Sequence, residues 1–201
     1  MGKGVRAVFF IVLALSLVSF LALPAFADRP AEGPGKWLQE VGVITGFVSG
    51  ELKHQKDFNA VVTGMRFGFD LKPFTKKMFN FEPKGLLELV YEPFINTITH
   101  PDGNVELGLP FFFKYAYPLT SKFYPFIEVG TGPYYMSLST YEQSTQFNFI
   151  SQGGAGFSYF IKDDMSVNLE YRRRHVSNAS IKEPNGGLDA DVYIIGLSWY
   201  F

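Results

Sequence analysis

Beyond residue 27 no apolar run of this chain approaches the roughly 20 residues a helix needs to cross hydrocarbon, yet segment after segment alternates with a period of two. In one segment Val61, Thr63, Met65, Phe67 and Phe69 fall on one face, with Val62, Gly64, Arg66, Gly68 and Asp70 on the other. A later one sets Val105, Leu107, Leu109, Phe111, Phe113, Tyr115 and Tyr117 against Glu106, Gly108, Pro110, Phe112, Lys114 and Ala116. The last strings Tyr193, Ile195, Leu197, Trp199 and Phe201 along a single side. Side chains of a strand point alternately to its two faces, so each segment is a strand with one greasy face and one small or charged face.

Eight such segments, bounded by Gly, Pro, Asn and Asp, run over about 39–49, 58–70, 84–95, 104–117, 123–137, 145–160, 165–177 and 188–201. Aromatic residues fill them; the chain has 22 Phe and 11 Tyr. Alternation alone also suits a soluble sandwich, so the choice turns on which face looks outward. The polar faces carry Glu88, Glu92, Glu106, Glu128 and Glu170 with Arg66, Lys114, Arg172 and Arg174, interspersed with Gly64, Gly68, Gly130, Gly132, Gly154 and Gly156. Mixed charge relieved by glycine suits the narrow inside of an eight-stranded barrel, where opposite charges pair and the aromatic face meets lipid. The expected fold is all-β: an eight-stranded antiparallel transmembrane β-barrel of the bacterial outer membrane. Its crowded Glu/Arg interior argues against a water-filled pore.

The termini agree with that fold. Residues 1–27 read as an export signal: Lys3 and Arg6, an apolar stretch from Val8 to Leu23, then the small-x-small site Ala25-Phe26-Ala27. A retained anchor is the alternative, and Pro24 with the Ala-x-Ala site favours cleavage near Ala27. Residues 28–201 then form a single barrel domain, with a Pro- and Gly-rich periplasmic lead-in over 28–38 and a longer turn over 70–83. Without Lys3 and Arg6 the chain has 16 basic against 19 acidic residues, which predicts no nucleic-acid partner. It has no cysteine, so thiolate chemistry and disulfides are excluded. The terminal Phe201, on the lipid-facing parity, resembles the ending of outer-membrane barrels that the assembly machinery recognises.

One stretch carries chemistry. His175 and Ser177 lie two residues apart, hence on one face of a strand and about 6.6 Å apart along it, and Asp189 opens the returning strand across a loop. Counting by twos from Met165, Val167, Leu169 and Tyr171 places Arg173, His175 and Ser177 on the lipid face. With both termini periplasmic, all sit at the outer-leaflet end of strand seven. Polar groups there call for a reason, and a lipid substrate supplies one: Ser177 as nucleophile, His175 as base and a carboxylate to orient the imidazole would transfer an acyl group. Asn178 could donate to the oxyanion. Asp191, and less directly Glu183, are alternative acids. Arg173 points outward, where a lipid phosphate is a possible partner, whereas Arg172 and Arg174 point inward to glutamates. His54 and His100, assigned to an outer and a periplasmic connection or strand edge respectively, have no ligand cluster, and no metal site is predicted. Read from the residues alone, a His-x-Ser at a strand end is more commonly an interfacial polar pair, as in a non-enzymatic barrel with a structural or adhesion role.

His175-Val-Ser177-Asn178-Ala179, followed by Lys182-Glu-Pro184-Asn185-Gly-Gly-Leu188-Asp189 and a final aromatic strand, resembles the C-terminal signature of the lipid A 3-O-deacylase (PagL) family. The resemblance implies a barrel that hydrolyses the 3-O-linked acyl chain of lipid A or lipopolysaccharide among outer-membrane lipids, without metal or other cofactor. It implies Ser177 as nucleophile, His175 as base, Asn178 at the oxyanion and Asn185 shaping the site. Asp189 falls where better-known members carry Glu, so its shorter side chain must still reach His175.

Overall fold

A computed structural model describes residues 37–52 and 57–201. The expected export signal, His54 and all of the lead-in except Trp37 and Leu38 lie outside the described residues. The alternating segments form strands β1 (Leu38–Gly50), β2 (Phe58–Asp70), β3 (Leu86–Tyr91), β4 (Phe94–His100), β5 (Asn104–Gly108), β6 (Phe111–Ala116), β7 (Phe123–Met136), β8 (Phe147–Lys162), β9 (Met165–Ser177) and β10 (Leu188–Tyr200).

Prolines explain why eight segments yield ten strands. Proline cannot donate to a ladder, and Pro93 divides β3 from β4 as Pro110 divides β5 from β6. Backbone bonds carry the pairing past both breaks: Met65 N–H donates to Pro93 O at 3.0 Å and Glu92 N–H to Pro110 O at 3.0 Å. Facing parity also survives the second break, since Leu109 and Phe111 are exposed while Pro110 and Phe112 are buried. The third expected strand, ended at residue 95, therefore continues to His100. That histidine pairs with Asn59 at the barrel end that bears the β9–β10 loop, so it does not belong to a connection at the opposite end.

All pairings are antiparallel: the broken strands β3/β4 and β5/β6 each count as one position in the ring, so β2 meets β1, β3 and β4 and β7 meets β5, β6 and β8, while β1 pairs with both β2 and β10, closing an eight-stranded ring with no free edge among the described residues. Closure matters because unpaired backbone N–H and C=O groups have no partner in hydrocarbon. The outer wall is apolar; Phe113, Ile127 and Val129 are 61%, 65% and 61% exposed. Contiguous exposure on that scale identifies a surface made for lipid.

The interior is layered. Nearest the chain ends, Lys114 bonds Glu40 at 2.8 Å and lies 3.1 Å from Glu88, and Glu40 also accepts a hydrogen bond from Ser198 at 2.6 Å. At the centre Arg66 and Arg172 meet Glu92, Glu128 and Glu170; Arg66 Nη2 donates to Glu92 at 2.7 Å and Arg172 Nη1 to Glu92 at 2.6 Å. Higher up, Arg174 holds Glu106, which also accepts the Tyr134 hydroxyl. Beyond it the core turns apolar, with Val48, Phe58, Ile98, Met136, Ile150, Val176 and Leu188 packed together. The expected charged interior thus occupies only part of the barrel, and an apolar plug fills the end nearest the β9–β10 loop. Glycine makes room in the charged layers: a Cβ at Gly68 would lie 2.7 Å from Glu88 Oε1 and 2.8 Å from Glu40 Cβ.

The turn over 70–83, expected as an irregular connection, contains a helix, α1 (Lys72–Phe79). Pro73 fits its first turn, Lys76 and Lys77 face its negative C-terminal end, and Asn80 caps it in the left-handed conformation at φ 51°. None of its residues is buried, so it rests outside the barrel.

Arg66→Met leaves three carboxylates around one guanidinium and should lower unfolding stability by about 3 to 5 kcal/mol, read as a shift of the urea midpoint of the refolded barrel. Lys76→Ala breaks the solvent-exposed pair with Glu82 and should leave that midpoint unchanged.

Candidate active site

The β9–β10 hairpin sets Asp189 directly opposite His175 and Asp191 directly opposite Arg173. Because the register is direct, a side chain as short as aspartate suffices: Asp189 Oδ1 lies 2.8 Å from His175 Nδ1. Both side chains are on the outer wall, 51% and 60% exposed. A carboxylate on Nδ1 favours the tautomer with its proton there, leaving Nε2 free to act as a base.

The alternative acids are engaged elsewhere. Asp191 accepts from Arg173 Nη1 at 3.0 Å and from the Tyr171 hydroxyl at 2.8 Å. Glu183 accepts the backbone N–H of Asn185 at 3.0 Å, within the loop. Arg173 spends one of its five guanidinium donors on Asp191.

Ser177 closes β9 on the same outward face, opposite Phe149 of β8. No hydrogen bond joins its hydroxyl to His175 among the described residues, so the structure unites His175 with Asp189 and leaves Ser177 beside them. Hydrogen bonds of this kind are often long before substrate arrives.

The loop after Ser177 turns inward at once. Asn178 is buried; its Nδ2 donates to Lys182 O at 2.7 Å and to Ser144 Oγ at 3.3 Å, and its backbone N–H donates to Asn185 Oδ1 at 2.9 Å. The side chain expected at an oxyanion is therefore committed to the loop as it stands, and Asn185 is the residue that clasps it. The β7–β8 loop braces the same turn: Ser144 donates its hydroxyl to Lys182 O at 2.8 Å, and Gly186 N–H reaches Glu142 O at 2.8 Å. Gly187, at φ 73°, packs on the imidazole so closely that a Cβ would lie 2.7 Å from His175 Cε1. A side chain at that position is excluded by backbone strain and by the ring together.

An open groove of about 690 Å³ runs from His175 across Ser151, Gly153, Thr131 and Val129 to Phe111 and Phe113. A second recess of about 670 Å³, around Pro93, Leu109 and Pro133, lies elsewhere on the wall and holds none of the groups just described.

The pattern of the family described as lipid A 3-O-deacylase (PagL) matches residues 61–198, more than half of the chain. The chain belongs to this family. Among solved structures, the outer membrane enzyme PagL aligns with a TM-score of 0.57 at 21% identity, covering 78% of this chain and 97% of that one. Neisserial surface protein A aligns with a TM-score of 0.61 at 10% identity, over 81% and 96% respectively. At those identities the likeness establishes the fold, an outer-membrane β-barrel. No curated protein matches the chain significantly. Membership of the PagL family makes this an ester-hydrolysing barrel, and the hairpin just described contains its only His–carboxylate pair among the described residues.

Sequence reasoning places His175, Ser177 and Asp189 on one outward face, as the structure has them, but does not single out Ser144, Glu142 and Gly187, which pack around that hairpin. The first two come from another loop, with no local signal to link them. Gly187 is visible in the sequence only as part of Gly186-Gly187, a turn signal without an address.

Gly187→Ala should push the imidazole off Asp189 and reduce ester hydrolysis by about 100-fold, with the barrel still showing its folded gel mobility. Asp189→Asn should cost on the order of 10⁴-fold in turnover, whereas Asp191→Asn should change it by less than about threefold; comparable losses from both would separate neither acid from the other.

Proposed function

We propose that this protein hydrolyses the 3-O-linked (3-hydroxy)acyl chain of lipid A in lipopolysaccharide, at the outer-leaflet end of the barrel. The observation that carries the reading is the His175–Asp189 pair at 2.8 Å on an outer wall that is largely apolar. A polar pair on that surface is costly unless its partner arrives within the membrane, and a lipid ester is such a partner.

In this mechanism His175 Nε2 takes the Ser177 hydroxyl proton as Oγ attacks the ester carbonyl. The tetrahedral intermediate collapses, His175 returns the proton to the sugar oxygen, and the acyl group stays on Ser177. Water, deprotonated by the same imidazole, then attacks the acyl-serine, and His175 returns that proton to Ser177 Oγ as the fatty acid leaves. Asp189 holds the ring and stabilises the imidazolium. Asn178 serves the oxyanion by exchanging its 3.3 Å bond to Ser144, the longest it makes, for the developing charge. Arg173, with donors to spare, meets a lipid A phosphate. The scheme draws on no metal or cofactor.

Export with cleavage near Ala27 delivers the chain, and Phe201 at the end of β10 is offered to the barrel assembly machinery. Phe201 N–H closes on Gln39 O at 3.1 Å, so the last residue stays tied to the first strand.

Expression in a strain of known lipid A should remove one hydroxyacyl chain from its mass spectrum, and Ser177→Ala or His175→Ala should each abolish that loss. Full activity in Ser177→Ala would dismiss the nucleophile, and an unchanged spectrum with folded wild type would favour a non-enzymatic barrel.

A further inference from the structure

The outward row that holds His175 does not stop there. Asp189 pairs with His175, His175 with Ser151 of β8, and Ser151 with Thr131 of β7, so polar side chains stand in line across four adjacent strands. The flanking rows differ: Ser177 continues into Phe149 and Pro133, while Arg173 continues into Gly153 and Val129. Asp189 is taken up by His175 Nδ1, but the two hydroxyls belong to no part of the hydrolytic scheme.

Their bonding has a direction. Thr131 Oγ1 donates its one proton to Ile150 O at 2.9 Å, so in its 3.3 Å contact with Ser151 Oγ the serine is the donor. That leaves the lone pairs of Ser151 as an acceptor in the groove. One step along β8, Gly153 keeps the wall open; a Cβ there would meet nothing nearer than 3.9 Å.

We infer that Ser151, oriented by Thr131, recognises the 3-hydroxyl of the acyl chain being released and so selects hydroxylated chains; this rests on the deacylase reading above. One strand spacing, about 4.8 Å, separates Ser151 from His175. The hydroxyl-bearing carbon of a 3-hydroxyacyl ester is two bonds from the carbonyl carbon under attack. A carbonyl held at Ser177 and His175 therefore places that hydroxyl over the neighbouring strand, where it donates a hydrogen bond to Ser151 Oγ. The remaining methylenes continue across the opening at Gly153 toward Val129 and Phe113. A chain without the hydroxyl leaves Ser151 without a ligand, and sites built to bond a hydroxyl discriminate against analogues that lack it.

The test compares kcat/KM of the purified, full barrel on two synthetic lipid A esters that differ only in the 3-hydroxyl of the scissile chain. Wild type should prefer the hydroxylated ester, and Ser151→Ala should cut the preference about tenfold, mainly through the hydroxylated substrate. Thr131→Val should cut it by about threefold, and Ser151→Thr should retain it. Both alanine and valine make the lipid face more apolar, so folding, followed by gel mobility, should persist. An unchanged ratio in active Ser151→Ala, or equal losses on both esters, would overturn the inference while leaving the deacylase reading intact. Wild type inert toward both esters would overturn that reading and the inference with it.

Discussion

Hydrocarbon offers no water to satisfy a peptide group, and every other property of this protein depends on how the chain meets that demand. Its answer is a ladder that closes on itself through β1 and β10. Closure dictates the alternation: once the ring is complete, each residue faces either lipid or a narrow interior. Even the interruptions at Pro93 and Pro110 respect it, because neighbouring backbone groups close the gaps and the facing of the side chains does not slip.

The inward face of such a ring must be filled, and this chain fills it in two ways. Toward its termini and centre it uses ion pairs and glycine, with Arg66 and Arg172 among Glu92, Glu128 and Glu170. At the other end it uses an ordinary apolar core around Phe58, Ile150, Val176 and Leu188. The apolar plug stands directly behind the strand ends that present His175 and Asp189: Val176 and Leu188, each next in sequence to one of them, are both buried. The His175–Asp189 pair thus has a packed apolar backing although it is itself exposed.

That arrangement makes register decide which side chains meet on the outer wall. The direct pairing of Asp189 with His175 turns a two-residue pattern and a distant acid into an oriented imidazole. The same rule extends the row to Ser151 and Thr131 and separates it from the Arg173–Asp191 pair next to it. A one-residue slip would send each of these side chains to the opposite face of the wall.

Much of this is legible in the order of the residues. The eight segments, their facing and the outward direction of His175, Ser177 and Asp189 follow from a period of two, which is local and needs no contact to be known. The resemblance over residues 174–189 adds a substrate class. Tertiary structure decides what depends on partners far apart in sequence: that Asp189 and not Asp191 meets the imidazole, that Asn178 is bound into a loop braced by Ser144, and that Gly187 must be bare beneath His175. It also decides that Glu40, placed by sequence only at the start of a strand, joins the Lys114 cluster. The reason is physical: alternation is encoded residue by residue, whereas register and loop packing arise only when separate strands are brought side by side.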